Sequence, residues 1–234
     1  MTPERFSRIT DMLNHRQPDL TLCLDKVHKS NNVSAIVRTA DAVGIHQIHA
    51  VMPDRGMQVS GNTASGSQQW VQTVKHRNIT QAIEHLKLKN MQIIVTNFSD
   101  KAVDFREVDY CQPSAIFLGC ERDGVSAEAI ALADKQITIP MIGMVQSLNV
   151  SVAAGAILYE AQRQRQLADM YGINKLPEAY CQKLLFEQGH PIYAKACRRK
   201  GLPYPKIDEL GQIKANREWW ALMRKPADDP GNIS

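Results

Sequence analysis

Apolar residues recur along this chain with two alternating periods. Over residues 3 to 16, Phe6, Ile9, Met12 and Leu13 form one stripe at helical spacing. Thr2 stands where an N-cap belongs, and Pro3 suits the first helical position. QPDL then breaks the helix. From Leu20 the period switches repeatedly. LTLCLDKV reads as a strand, and NVSAIVRTADAV as a helix stopped by Gly44 in the left-handed conformation that glycine favours. HQIHAVM reads as a strand, and TQAIEHLKLKN as a helix capped by Thr80. MQIIVT and SAIFLG read as strands, SAEAIALAD as a helix capped by Ser126, KQITIP as a strand, and residues 149–165 as a long helix. Strands that alternate with helices, several of them apolar on both faces, predict an α/β fold. Its sheet is mostly parallel, with helices on both faces.

Beyond residue 166 the texture changes. MYGINKLPE is a connector and EAYCQKLLFEQ a short amphipathic helix. HPIYAKACRRKGLPYP is a basic helix ended by Gly201 and prolines, and NREWWALM a last helix with Asn216 as its cap. Trp219 and Trp220 either dock this tail or stack on bases. Four regions result: a helical N-terminal arm (1–19), an α/β core (20–166), a basic helical extension (167–225) and a disordered tail (226–234).

Charge sharpens this division. Residues 161–225 hold thirteen Lys/Arg against six Asp/Glu, whereas residues 41–160 hold nine against twelve. A near-neutral body with a basic segment suits a polyanionic partner, or simply a solvated surface. MTPERFSR lacks the apolar core of a signal peptide, and no apolar run approaches a membrane span, so a cytoplasmic protein without membrane attachment is expected. The five cysteines form no CxxC pair and read as reduced thiols. His46 and His49 read as ordinary polar positions, and no metal site is expected.

In an open parallel sheet, ligands bind beyond the C-terminal ends of the strands. Three such junctions carry chemistry. HKSNNVSAIVRTADAVG (28–44) offers Asn31, Asn32 and Ser34 as helix caps, and places Arg38 among Val33, Ile36, Val37, Ala40 and Val43. That arginine is a fork for phosphate or carboxylate, or half of a structural ion pair. FLGCERDGVS (117–126) has glycines at both ends of a tight loop, with Glu121 at its tip. IPMIGMVQSLNVS (139–151) runs through a Gly- and Met-rich turn to Ser147 and Asn149, either of which could cap the following helix. That helix carries Gly155 amid alanines, and an interior glycine costs about 1 kcal/mol relative to alanine. A very close contact, with another helix or another subunit, would explain it. GNTASGSQ lacks the Lys-Ser/Thr of a Walker loop, and no strand is followed by GxGxxG.

Taken together, the three junctions resemble the signature motifs of the SpoU/TrmH family, within the SPOUT class of RNA 2′-O-methyltransferases. QPDLTLCLDKVHK, VDFREVDY and the GLPYP tail extend the resemblance over nearly the whole chain, and within the family imply 2′-O-methylation of guanosine 18 in the tRNA D-loop. The resemblance also implies a deep trefoil knot in the C-terminal part of the core, S-adenosylmethionine folded into it, and a homodimer whose active site draws on both subunits. By motif, Asn32, Arg38, Glu121, Ser147 and Asn149 are the functional polar positions, and Thr96, Gly119, Ile139 and Leu148 contact the cofactor.

For the tRNA grip, Arg5, Arg8 and Arg16 make one basic face. Lys195, Arg198, Arg199 and Lys200 make another, extended by Arg163 and Arg165. DNA is not an expected partner. The competing readings are a methyltransferase for another tRNA position or for rRNA, a non-catalytic RNA-binding module, and a nucleotide-dependent oxidoreductase. The last lacks its phosphate turn.

Overall fold

The computed structural model describes residues 1–51, 66–120 and 122–225. The tail expected at 226–234 and Glu121 lie outside the described residues. The chain forms two compact units: Arg16–Ile173, and a second one assembled from Met1–His15 with the segment from Asn174 onward.

The larger unit is built on a seven-stranded sheet. Its strands are β1 (Leu20–Asp25), β2 (Gln47–Val51), β3 (Gln72–His76), β4 (Gln92–Thr96), β5 (Val103–Asp104), β6 (Ser114–Gly119) and β7 (Lys135–Thr138). The order is β3-β2-β1-β6-β4-β7-β5, with every pairing parallel. Among the described residues, four α-helices belong to it: α2 (Ser30–Ala42), α3 (Ile79–Lys87), α4 (Ala127–Leu132) and α5 (Val150–Leu167). Side-chain alternation feeds two cores. Leu22, Leu24, Ile94, Ile116 and Leu118 pack with α2 and α5 in one. Cys23, Ile93, Val95, Ala115 and Phe117 pack with α3 and α4 in the other. A sheet buried on both faces explains the near-continuous apolar runs of these strands.

Two strands carried no sequence signal. β3 is an edge strand, and QTVKH is largely exposed. β5 is two residues long. Neither needs the apolar pattern of a central strand. Three caps also differ from expectation, one of them Ser126, which holds the N-cap position of α4 without a side-chain hydrogen bond to the helix. Asn78, not Thr80, caps α3 by accepting from Gln81 N. Lys29 occupies the N-cap of α2, so Asn31, Asn32 and Ser34 fall inside the first turns, where no side chain caps the helix. Thr2, Gly44, Gly201 and Asn216 act as their types dictate.

Two arginines read as surface cations are structural. Arg16 is 1% exposed; it donates to Ile45 O at 2.7 Å and pairs with Asp41 at 2.5 Å. Arg165 is fully buried at the end of α5. It donates to Tyr110 O (2.8 Å), Gln17 Oε1 (2.9 Å), Asp19 Oδ1 (2.6 Å), Asp19 O (3.2 Å) and Gln112 O (3.3 Å). These acceptors lie in the segments just before β1 and β6. A guanidinium is the one side chain with enough rigid donors for that task.

The second unit holds α1 (Pro3–Asn14), α6 (Glu178–Gly189), α7 (Pro191–Lys200), the β8–β9 hairpin (Lys206–Ile207 and Ile213–Lys214) and α8 (Arg217–Arg224). Ile9 and Leu13 of α1 are buried, as are Leu184, Leu185, Phe186 and Trp219. Trp219 docks the tail: its indole donates to Pro203 O at 3.0 Å, and it meets Trp220 edge-on at 4.9 Å. Lys200 caps the C-terminal end of α8, donating to the carbonyls of Leu222, Met223 and Lys225. All three ammonium donors are thereby occupied, and this lysine is not an open phosphate contact.

His46 and His49 are buried polar groups. His49 Nδ1 lies 2.8 Å from His76 Nε2, and His85 stands 5.5 Å from both rings. Burial foremost, then the neighbouring imidazoles and Lys89, hold His49 down at about 3. Burial, then Arg16 and Lys89, hold His46 at about 4, and burial is the leading cause for the lowered His76 and His85. Unfolded histidine titrates near 6.5, so below that pH the unfolded chain binds more protons than the folded one. The contribution of these groups is therefore constant above about pH 7, and stability declines as pH falls from about 6.5 toward 4. Urea midpoints at neutral and acidic pH should record this loss, and His49→Gln should flatten the dependence.

Candidate functional site

The strand order places the C-terminal ends of β6, β4 and β7 side by side. A cavity of about 610 Å³ opens there. Thr96 ends β4, Gly119 ends β6, Ile139 follows β7, and Leu148 lies just before α5; all four line this cavity. Ser147 and Asn149 line it as well. The stretch 139–149 therefore forms one wall, as the sequence pattern of a strand running into a pliable turn allows.

A second part of the lining comes from the loop after β6, at Gly119, Cys120, Arg122, Asp123 and Gly124. This loop folds back on the end of β6: Gly124 N donates to Cys120 O at 2.9 Å, and Gly124 adopts φ +68°. A Cβ on Gly119 would stand 1.9 Å from the Gly124 carbonyl carbon, so only glycine permits this approach. Cys120, Arg122, Asp123 and Gly124 face the cavity from this loop. All five cysteines are free, and Cys120 Sγ lies 3.6 Å from Asp123 Oδ2.

Asn149 does two jobs. Its Oδ1 caps α5 by accepting from Ser151 N at 2.9 Å, and its Nδ2 donates to Asn32 Oδ1 at 3.2 Å. The first turn of α2 is thus tied to the cavity rim. Arg38, farther along α2, is exposed and does not line the cavity of its own chain. It makes no hydrogen bond or ion pair among the described residues.

Sequence reasoning missed Asn97 and Phe98. Asn97 lines the cavity, held by Gln136 through a 3.0 Å side-chain bond, and Phe98 is an exposed aromatic at the same cavity. The polar break directly after the apolar strand MQIIVT was their only signal.

Chemically, the lining is apolar at Leu118, Ile137, Ile139, Leu148 and Ile157, with hydroxyl and amide groups interspersed. Arg122, the one cation of the lining among the described residues, is exposed and lies 4.0 Å from Asp123. Such a cavity suits a nucleoside-sized ligand without phosphates. No group of three or more metal-ligating side chains occurs among the described residues.

The remaining cations proposed for a nucleic-acid grip divide in two. Arg8, Lys195 and Arg199 are exposed and make no ion pair or hydrogen bond among the described residues. Arg5 donates to Gln188 O at 2.8 Å, Arg163 forks onto Glu160 at 2.7 and 2.9 Å, and Arg198 donates to the Tyr204 hydroxyl at 2.9 Å. These three remain exposed.

Gly119→Ala tests the loop geometry. The added methyl meets backbone rather than a flexible side chain, so the strain should exceed the ~1–3 kcal/mol of ordinary overpacking. A lower melting temperature and faster amide exchange over 120–126 are the expected readouts.

Comparison with known proteins agrees with this arrangement. The model of the SpoU rRNA Methylase family matches residues 19–159, and that of the SpoU rRNA methylase C-terminal region matches residues 163–216. The tRNA (guanosine(18)-2′-O)-methyltransferase of Escherichia coli K12 is 57% identical over 226 residues, 96% of this chain and 99% of that protein. The crystal structure of the A. aeolicus TrmH/SpoU tRNA modifying enzyme superposes with a TM-score of 0.75 at 42% identity, covering 81% of this chain and 96% of that one. AviRb from Streptomyces viridochromogenes, a SpoU methyltransferase solved in complex with AdoMet, gives 0.59 at 27% identity, covering 67% and 64%. With matches this extensive, and with the motif residues gathered at one end of one sheet, the chain belongs to the SpoU methylase family.

Proposed function

We propose that this protein transfers a methyl group from S-adenosylmethionine to the ribose 2′-oxygen of guanosine 18 in tRNA. The E. coli relative bears that activity in its name, and the AviRb structure holds the same cofactor. The observation that carries the reading is the meeting of Thr96, Gly119, Ile139 and Leu148 with Ser147 and Asn149 on one cavity. Segment 139–149 is then the part of the chain that threads the trefoil knot.

The bound cofactor supplies an electrophilic methyl group. The chain must hold the ribose in line with it and favour loss of the hydroxyl proton. Asn149 and Asn32, already bonded to each other, orient the ribose edge of the site. A guanidinium gives up no proton near neutral pH, so Arg38 serves as a fork on the substrate phosphate and hydroxyl, stabilising the developing alkoxide. Phosphate or water then takes the proton. Glu121 supports the cofactor loop or pairs with Arg38.

Because Arg38 does not line its own chain's cavity, the complete site is formed between two copies. Ile142, Met144, Val145, Val152 and Tyr159 leave large apolar surfaces open to water. Among the described residues, no atom lies within 4 Å of where a side chain on Gly155 would begin. A second protomer packed on this face would use the close approach that such a glycine allows. Exposed Arg5, Arg8, Lys195, Arg198 and Arg199 of the smaller unit, and Arg163 of the larger, hold the tRNA backbone.

Labelled-methyl transfer to unmodified tRNA, followed by mapping of the modified nucleotide, tests the function. Modification at guanosine 18 is expected, and transfer to rRNA alone would overturn the assignment. Arg38→Lys keeps the charge but loses the fork, and should lower kcat by about 10²-fold with little change in cofactor KM. Retention of near-full turnover would remove the clamp from the mechanism. Gly155→Leu should leave a folded monomer by sedimentation; a persistent dimer would place the interface elsewhere.

A further inference from the structure

We propose that Asp25 is a positioning residue for the cofactor loop, acting through the backbone N–H of Ser126. The proposal rests on the reading that the cavity binds S-adenosylmethionine.

Asp25 is the last residue of β1 and is 1% exposed. Its Oδ2 accepts from Ser126 N at 2.8 Å, while its Oδ1 has no hydrogen-bond partner among the described residues. It forms no ion pair among the described residues. A carboxyl group so poorly compensated is costly to bury. Its neighbours Cys23 and Leu24 fill the core without that cost. The carboxyl must therefore return something that packing alone does not, and its one side-chain hydrogen bond among the described residues is to the loop.

The geometry says what that contact controls. In the parallel pairing of β1 with β6, Asp25 stands level with Gly119, where the loop departs. Its carboxylate meets the loop again at Ser126, where the chain enters α4. Between these two points run Cys120, Arg122, Asp123 and Gly124, which line the cavity, and Glu121. Asp25 thus clamps both ends of the loop to one strand, and holds Gly124 against Gly119. Releasing the Ser126 end frees the cavity wall to move outward. The consequence falls on cofactor affinity and leaves the tRNA grip alone.

Ser126 offers a matched second variant. Its φ of −61° already suits proline, so Ser126→Pro deletes the N–H donor and leaves Asp25 in place. Calorimetry should show Asp25→Ala and Ser126→Pro each weakening S-adenosylmethionine binding by about tenfold or more, the value of one charge-assisted hydrogen bond. The double variant should be no weaker than either single one. Asp25→Asn retains an acceptor oxygen and should bind nearer to wild type. In steady state the KM for the cofactor should rise by the same factor, with the KM for tRNA unchanged.

Either of two results overturns the proposal: a folded Asp25→Ala or Ser126→Pro protein that binds within twofold of wild type, or variants that lose kcat and stability with both KM values intact. The latter would mark Asp25 as merely structural. If Asp25→Ala does not fold, Ser126→Pro and Asp25→Asn decide by the same criteria. Wild-type protein that binds no S-adenosylmethionine overturns the reading of the cavity, and the proposal with it. Normal wild-type binding with unaffected variants overturns the proposal alone.

Discussion

The parallel alignment of β1, β6, β4 and β7 is the constraint on which the rest depends. Their two faces are covered by α2 and α5 on one side and by α3 and α4 on the other. Burial on both faces leaves only the strand ends free for polar side chains, and parallel pairing brings the C-terminal ends to a single edge. Thr96, Gly119 and Ile139 are far apart in the chain and meet there because their strands are neighbours. The close contact of Gly119 with Gly124 then turns the loop back across that edge and closes the cavity.

Buried charge supports this arrangement from the opposite end. Arg165 joins the end of α5 to the segments preceding β1 and β6, and Arg16 joins the approach to β1 to the C-terminal turn of α2. Arg165 satisfies three backbone carbonyls, the Gln17 amide oxygen and one carboxylate, and Arg16 satisfies the Ile45 carbonyl and one carboxylate, which is how a buried cation becomes tolerable. In sequence both sit among other basic residues, at RITDMLNHR and QRQR, and nothing local separates a structural arginine from a surface one. Burial is a property of the assembled fold, so that distinction could not be read earlier. Lys200 teaches the same lesson, because the carbonyls it caps lie more than twenty residues away.

Helix ends divide in a similar way. Caps that depend on one residue's own chemistry, such as Thr2, Asn216 and the left-handed Gly44 and Gly201, followed from residue type. The start of α2 did not, because Asn31, Asn32 and Ser34 offer three equivalent caps and the fold begins the helix ahead of all of them. Asn149 was legible as a cap, yet its second bond, to Asn32, joins residues 117 positions apart. That bond makes a binding rim out of what local sequence describes as an ordinary helix start.

By itself, the sequence determined the alternation of strands and helices, the parallel class of the sheet, the three polar-and-glycine junctions, and the resemblance that links them. These are local or periodic properties, carried by side-chain spacing and by the conformational preferences of single residues. Only the tertiary structure decided the strand order, the unit formed by α1 with α6, α7 and α8, the burial of Arg16 and Arg165, and the bond of Asp25 to the backbone of Ser126. Those depend on which distant segments share a surface, and on which charges that surface removes from water.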